Sequence, residues 1–454
     1  MVDAVTILSR PDTNSVDDVI LPLVPIERFF LRHDRAKHPM VFRVLLQFEG
    51  PVHRELLSTA FQWAIKRQPL LTSTVVGEGR HRSWQRSATL PQLHWQPAGA
   101  SPGQILQSPI EPISLSGHPG IRGRVWTIHT EAGIGLMVLL DLHHACCDGQ
   151  GARQFLFEWF AAYERLARGE PLTSPPWNTV RLNERGNYRT MTPPIGTWEG
   201  LRNLYSTVRG RTARLPERFP ETPGKELICE RVLSTAETSQ LRRFTEKRRL
   251  RINDVGLSAA FAAFANTFPE CARRNWITLL HPVDLRWPSD LRTPACNRVG
   301  VAFLRRRESA CRDPQQLLRG LQEEMNYIKQ RYVGAEFLRG LAAVERAPRI
   351  QDWIERRGWF GPTLQYTCLG NTTRLLPREL VQEDRSIHVA GLRLCHISGF
   401  MQRGPRLPIS LTACETNHRL SLTARICLRT LDTETSLRFF DCFVEKLLQA
   451  GGDS

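Results

Sequence analysis

The stretch Leu139-Leu140-Asp141-Leu142-His143-His144-Ala145-Cys146-Cys147-Asp148-Gly149 constrains this chain more than any other. A near-continuous apolar run, typical of a strand, ends in two histidines. A turn carrying Asp148 and Gly149 follows. Ala152 to Arg168 then places Phe155, Leu156, Trp159, Phe160, Tyr163 and Leu166 at helical spacing. Consecutive strand side chains point to opposite faces. Only one of His143 and His144 therefore faces a given cleft, and the other belongs to the opposing layer as a structural group. Gly149 is expected to relieve crowding in the turn and to permit an unusual backbone there.

The chain has 454 residues, too many for one ordinary core, so two packed subdomains are expected. An apolar share of 41% with 23% charged residues reads as globular. No apolar run reaches the ~18 residues of a membrane-spanning helix. Met1 to Pro11 carries Asp3 and no apolar run of signal-peptide length, so export is not expected and the cytoplasm is the expected compartment. The 11 cysteines are scattered from Cys146 to Cys442 without a CxxC pair or metal-finger spacing, and read as reduced, mostly buried thiols. The formal charge of +16 and pI of about 9.9 suit anionic partners. The arginines are spread along the chain and no nucleic-acid-binding signature is present, so a generally basic, solvated surface is the expectation.

Elements follow from periodicity and punctuation. Ile26–His33 reads as a short helix, Val41–Phe48 as a strand, His53–Arg67 as a helix ended by Pro69, and Leu70–Val76 as a strand. Gly123–His129 and Gly135–His144 read as a strand pair around the turn at Glu131–Gly133. Prolines cluster between 171 and 225, which marks a crossover, and within it Trp198–Arg214 reads as a basic amphipathic helix. Such a helix suits packing across the two halves, with contact to a membrane surface or carrier protein as the alternative. Ser234 and Glu237 form a capping-box signature for a helix running to Leu250. Asn253–Phe268 is an Ala-rich helix, and Trp276–Pro282, Val299–Leu304 and Leu364–Cys368 are strands. Ile387–Ile397, Ile409–Glu415 and Leu420–Cys427 read as a terminal antiparallel set, closed by a helix over Thr433–Ala450.

Placed at a strand end about 140 residues into a chain of this length, the motif His143-His144-x-x-x-Asp148-Gly149 resembles the HHxxxDG signature of the condensation-domain and chloramphenicol-acetyltransferase-like superfamily. Other segments are similar to that superfamily too: Ile26 to Phe48 and the helix to Leu71, Asn253-Asp254-Val255, Pro282 to Arg286 with Asn297, and Thr367 to Gly370. Cys296 stands where a Gly commonly precedes the Asn, and Cys368 where an Asn is common. The resemblance implies a mixed α/β fold of two acyltransferase subdomains, 15–170 and 226–454, joined by the 171–225 crossover, with the active site in the tunnel between them. It implies His144 as general base, His143, Asp148, Gly149, Arg286 and Asn297 as structural supports, with an Asp148–Arg286 pair, and Thr367 as candidate oxyanion donor. It implies acyl-coenzyme A or a phosphopantetheinyl carrier protein as co-substrate, a small-molecule acceptor, no metal, no permanently bound cofactor and no nucleic acid; a monomer is expected.

The reaction this implies is transfer of an acyl group from a thioester to an alcohol or amine. A free-standing condensation enzyme fed by carrier proteins is the first alternative, and a non-catalytic basic binding or scaffold protein the second. A zinc site at His143, His144, Cys146 and Cys147 is disfavoured because alternating faces do not converge four ligands. A Cys147 nucleophile is disfavoured because neighbouring Asp148 raises its pKa. No GxSxG elbow or P-loop is present.

Overall fold

Strand β1 (Leu21–Pro22) and helix α1 (Pro25–His33) lead to strand β2 (Val41–Glu49) and helix α2 (Arg54–Lys66). Strands β3 (Ser73–Val76) and β4 (Ser83–Arg86) pair with each other, and β4 pairs with β1. Strand β5 (Leu93–Trp95), helix α3 (Pro102–Leu106), strands β6 (Ile121–Thr130) and β7 (Gly133–His143) and helix α4 (Gly149–Ala167) follow. After α5 (Thr179–Asn183) come β8 (Glu226–Val232), α6 (Thr235–Lys247), α7 (Ile252–Thr267), α8 (Pro269–Arg274), β9 (Ile277–Asp284) and β10 (Val299–Arg306). The chain closes with α9 (Pro314–Gln330), α10 (Val333–Val344), β11 (Leu364–Asn371), β12 (Ile387–Val389), β13 (Leu392–Phe400), β14 (Ile409–Thr416), β15 (Arg419–Cys427) and α11 (Thr433–Gly452). This computed structural model describes residues 21–452 apart from 132, 174–178, 188–209, 220–225, 347–348, 350–360, 373–375, 377–379, 385 and 405.

Two mixed six-stranded sheets form the frame. The first has the order β12-β13-β2-β7-β6-β5 and the second β10-β9-β11-β14-β15-β8. Strand β7 sits between β2 and β6 and is buried continuously from Gly135 to His143, which explains its unbroken apolar run. The β6–β7 hairpin closes at Gly133, whose φ of +110° lies in the region that favours glycine. The capping box at Ser234 and Glu237 starts α6 as expected, with reciprocal bonds of 3.1 and 2.6 Å. Helix α7 is buried on nearly every side, the property its Ala-rich sequence reports.

The sheets meet through polar rows rather than a greasy seam. Register places Gln365, Ser410 and Arg425 in one row of the second sheet, and Thr367, Thr412 and Thr423 in the next. Thr423 donates to the carbonyl of Gly399 and Ser398 bonds Ser421 across the gap. Arg425 donates from Nη1 to the carbonyls of Val41 (3.0 Å) and Met401 (2.8 Å) and pairs with Glu226, which also binds Arg403. Several arginines are thus part of the interior. Arg43, Arg185, Arg298 and Arg425 are fully buried and pair with Asp141, Glu27, Asp290 and Glu226. This corrects the expectation that the basic residues form only a solvated surface.

Two other expectations change, over Ile387–Ile397 and Leu70–Val76. Ile387–Ile397 does not join a terminal antiparallel set; β13 crosses to the first sheet and pairs with β2, while only β14 and β15 form the hairpin. The connection from Phe400 to Ile409 carries Pro405 and Pro408 and is too long for a tight turn. Leu70–Val76 divides into a 3₁₀ turn over Pro69–Thr72 and the short β3. Helices α9 and α10 were not read from periodicity. Trp198–Arg214 lies outside the described residues up to 209, and beyond that it is not helical, since Thr212 bridges Trp276 in parallel. Among the described residues no helix is long and apolar enough to cross a membrane.

Candidate active site

The turn after β7 is fixed by backbone and side chain together. The N–H of His143 donates to Gly120 O (2.8 Å) and that of His144 to Met40 O (2.7 Å). His143 Nδ1 accepts from the Ala145 N–H at 3.1 Å, which leaves its proton on Nε2, 3.5 Å from Asp34 Oδ2. His144 turns its ring elsewhere. It stacks on Phe30 with centroids 4.1 Å apart and meets Phe42 at 5.1 Å. The two rings thus have different neighbours, a carboxylate for His143 and two aromatic rings for His144.

The second half of the chain grips this turn. Asp148 caps α4, accepting from the Gly151 N–H (2.9 Å), and also accepts from the Arg298 N–H (2.8 Å). Its carboxylate is bidentate with Arg286 at 2.8 and 2.9 Å. Arg286 also donates to the Cys296 carbonyl (3.0 Å). Burial alone would raise the Asp148 pKa, but the Arg286 guanidinium and these hydrogen bonds hold it below the ordinary carboxylate value. Asn297, fully buried, donates from Nδ2 to the carbonyls of His144 (2.8 Å) and Ala145 (2.9 Å). The structure therefore brings His143, His144, Asp148, Arg286 and Asn297 together. Cys296 contributes its backbone, so a side chain other than Gly is accommodated there.

His144 is 3% exposed, and Nδ1 is buried without a hydrogen-bond partner. Burial pushes its pKa down to about 4, against smaller upward pulls from its own backbone, Asp148 and Asn297. The ring is thus neutral, the form a base requires, across the physiological range. His38 and His281 are likewise lowered to about 4 by burial. Between pH 6.5 and 4 the unfolded chain binds protons that these folded rings do not, so stability is full above about pH 6.5 and falls as pH drops towards 4. Equilibrium unfolding followed across this window is expected to show that loss, and any acid limb of activity set by His144 is expected near pH 4 rather than 6.5.

A small cavity of about 30 Å³ lies between the sheets beside this turn. Phe42, which touches the His144 ring, lines it, as do Gly149 and Arg153 at the start of α4, Gly399 of β13, Leu369 of β11 and Thr412 of β14. Alternation along β11 puts Thr367 on the same face as Leu369, in register with Thr412, and Cys368 on the opposite face. Sequence reasoning missed Phe30, Arg153, Leu369 and Thr412. The signal for Arg153 was present: it falls on the apolar stripe of α4 with Leu156, Phe157 and Phe160.

The glycines trade roles. Gly149 does not adopt a left-handed backbone; a Cβ there would meet only a Leu369 methyl, at 2.9 Å. The unusual-backbone expectation is therefore corrected. Gly151 is the tighter position, since its Cβ would stand 3.0 Å from Cys147 Cβ and from both N and O of Cys296. Gly151→Ala is expected to cost about 1–3 kcal/mol by overpacking, read as a lower thermal midpoint, whereas Gly149→Ala moves only a flexible side-chain end and costs less. Cys146 and Cys147 are buried thiols whose pKa values burial raises well above the usual range, which removes thiolate chemistry from this turn.

No family model and no curated protein matches the sequence. Solved structures do match, over almost the whole chain. The first condensation domain of the CDA synthetase superposes with a TM-score of 0.73 at 15% identity, covering 96% of this chain and 97% of that one. The chain has the condensation-domain fold. A trichothecene 15-O-acetyltransferase from Fusarium sporotrichioides shares it at 12% identity, 94% coverage of each chain and a TM-score of 0.68. So does a variant starter condensation domain of rhizomide synthetase, solved with C8-CoA and Leu-SNAC, at 14% identity, 96% and 95% coverage and a TM-score of 0.65. Condensation-domain folds are two-lobed, in agreement with the two mixed sheets here.

Proposed function

We propose that this chain is an acyltransferase that moves an acyl group from acyl-coenzyme A to an alcohol or amine, with His144 as general base. The observation that carries the reading is a neutral, buried imidazole packed on Phe42, a residue that lines the inter-sheet cavity, on a turn braced from the other half of the chain. The acceptor O–H or N–H gives its proton to His144 as the oxygen or nitrogen bonds the acyl carbon. The C–S bond then breaks, and the imidazolium returns the proton to the departing thiolate. Thr367 supplies a hydroxyl for the developing oxyanion. His143, Asp148, Gly149, Arg286 and Asn297 position the turn. No metal and no covalent acyl-enzyme is needed.

One of the like structures, the starter domain solved with C8-CoA, supports a thioester donor, and another, the 15-O-acetyltransferase, supports acyl transfer to a hydroxyl. The condensation domains among them favour a second reading that differs in the donor, a carrier-protein pantetheine thioester. The test is thiol release from a panel of acyl-coenzyme A donors with mixed alcohol and amine acceptors. Acceptor-dependent release supports the proposal, release from carrier-loaded thioesters alone moves the assignment to the second reading, and release from neither removes catalysis.

A further inference from the structure

Every fully buried arginine named above has a carboxylate partner, but one guanidinium at the candidate site does not. Arg153, half-buried on α4, makes no hydrogen bond or ion pair among the described residues, and its Nε is buried without a partner. Among the described residues its aromatic contact is with Phe157, 6.0 Å away on its own helix. The two carboxylates that act on it electrostatically are committed elsewhere: Asp148 and Asp284 both bond Arg286. Across the same cavity Thr412 Oγ1 is also buried with no partner. A cation and a hydroxyl thus face one small space, beside Phe42, which packs on the His144 ring.

An unpaired cation in such a place costs stability, and a ligand carboxylate would offset that cost with a charge-assisted, two-pronged contact. The phosphates of coenzyme A are separated from its thioester by the pantetheine arm, so an anion in this cavity is assigned to the other substrate. We infer that the acyl acceptor is a compact amino or hydroxy acid whose carboxylate is bound by Arg153, with Thr412 Oγ1 donating a second hydrogen bond. The inference rests on the acyl-transfer reading for the word acceptor, but the binding site it names is testable without turnover.

Binding is measured first, by ligand-observed NMR with the intact chain, using leucine against leucinamide and lactate against lactamide as probes. The expected result is saturable binding of the carboxylates, weakened about tenfold to hundredfold for the neutral amides and to the same degree by Arg153→Gln, the usual size for a hydrogen bond to a charged group. Arg153→Lys is expected to restore part of it. Because Arg153 has no protein partner, Arg153→Gln is expected to leave the thermal midpoint unchanged or raised; a lowered midpoint would mark a structural role and overturn the inference. Equal affinity for carboxylate and amide, or no binding of either, also overturns it. Acyl transfer with the same pairs then separates the two proposals. Carboxylate binding without transfer keeps this site and removes the acyltransferase reading, whereas transfer indifferent to the carboxylate and to Arg153→Gln does the reverse.

Discussion

Replacing His144 with alanine is expected to lower acceptor-dependent acyl transfer at least about a hundredfold, the lower end of what a positioned general base contributes. The geometry makes this a clean test. The bonds from Asn297 to the His144 carbonyl and from the His144 N–H to Met40 run through the backbone. Alanine keeps those bonds and removes only the ring and its stacking on Phe30. Folding is therefore expected to survive, at a cost within the range for deleting a buried side chain. The control is His143→Ala, which removes the acceptor of the Ala145 N–H and disturbs the turn itself. If His144→Ala retains full acceptor-dependent transfer, the ring is not the base. If His143→Ala loses activity only in proportion to lost folded protein, its supporting role stands.

The second large effect is on stability. Arg286→Ala would leave the Asp148 carboxylate with only two backbone N–H donors in a site where it is 4% exposed. Breaking a buried pair from one side costs about 3–5 kcal/mol, which chemical unfolding would register as a shifted midpoint. Asp148→Ala should cost a similar amount and also uncap α4. The double variant should lose less than the sum, because each single change strands a charge that the other removes. Additive losses would mean that the two groups do not brace one another. Loss of transfer in both singles while they remain folded would show that the turn must be held, not merely present.

Much of the fold and part of the site were legible in the sequence, for identifiable reasons. The β7 run, the capping box at Ser234 and the stripe of α4 are local patterns, and local patterns survive into structure. The residues of the Asp148–Arg286 pair were nameable only because the segments around them resemble a known signature; nothing in composition links positions 138 apart in sequence. What was missed depends on neighbours far along the chain. Phe30 is an ordinary helix aromatic until β7 places His144 against it. Thr412 is one threonine among many until Leu369 and Gly399 enclose it. The route of β13 was misread because a strand's pattern states which faces are buried, not which strand lies beside it.

That route has a consequence for how the molecule comes into being. The β2 edge that accepts β13 is made early, yet its partner emerges from the ribosome some 350 residues later, since Phe400 pairs with Arg43. Until then the first half waits with an open strand, and loops of that span close slowly. The Arg425 side chain that reaches Val41 arrives later still. Nascent chains halted before β13 should therefore be protease-sensitive across β2, and maturation of the first sheet should coincide with completion of the second.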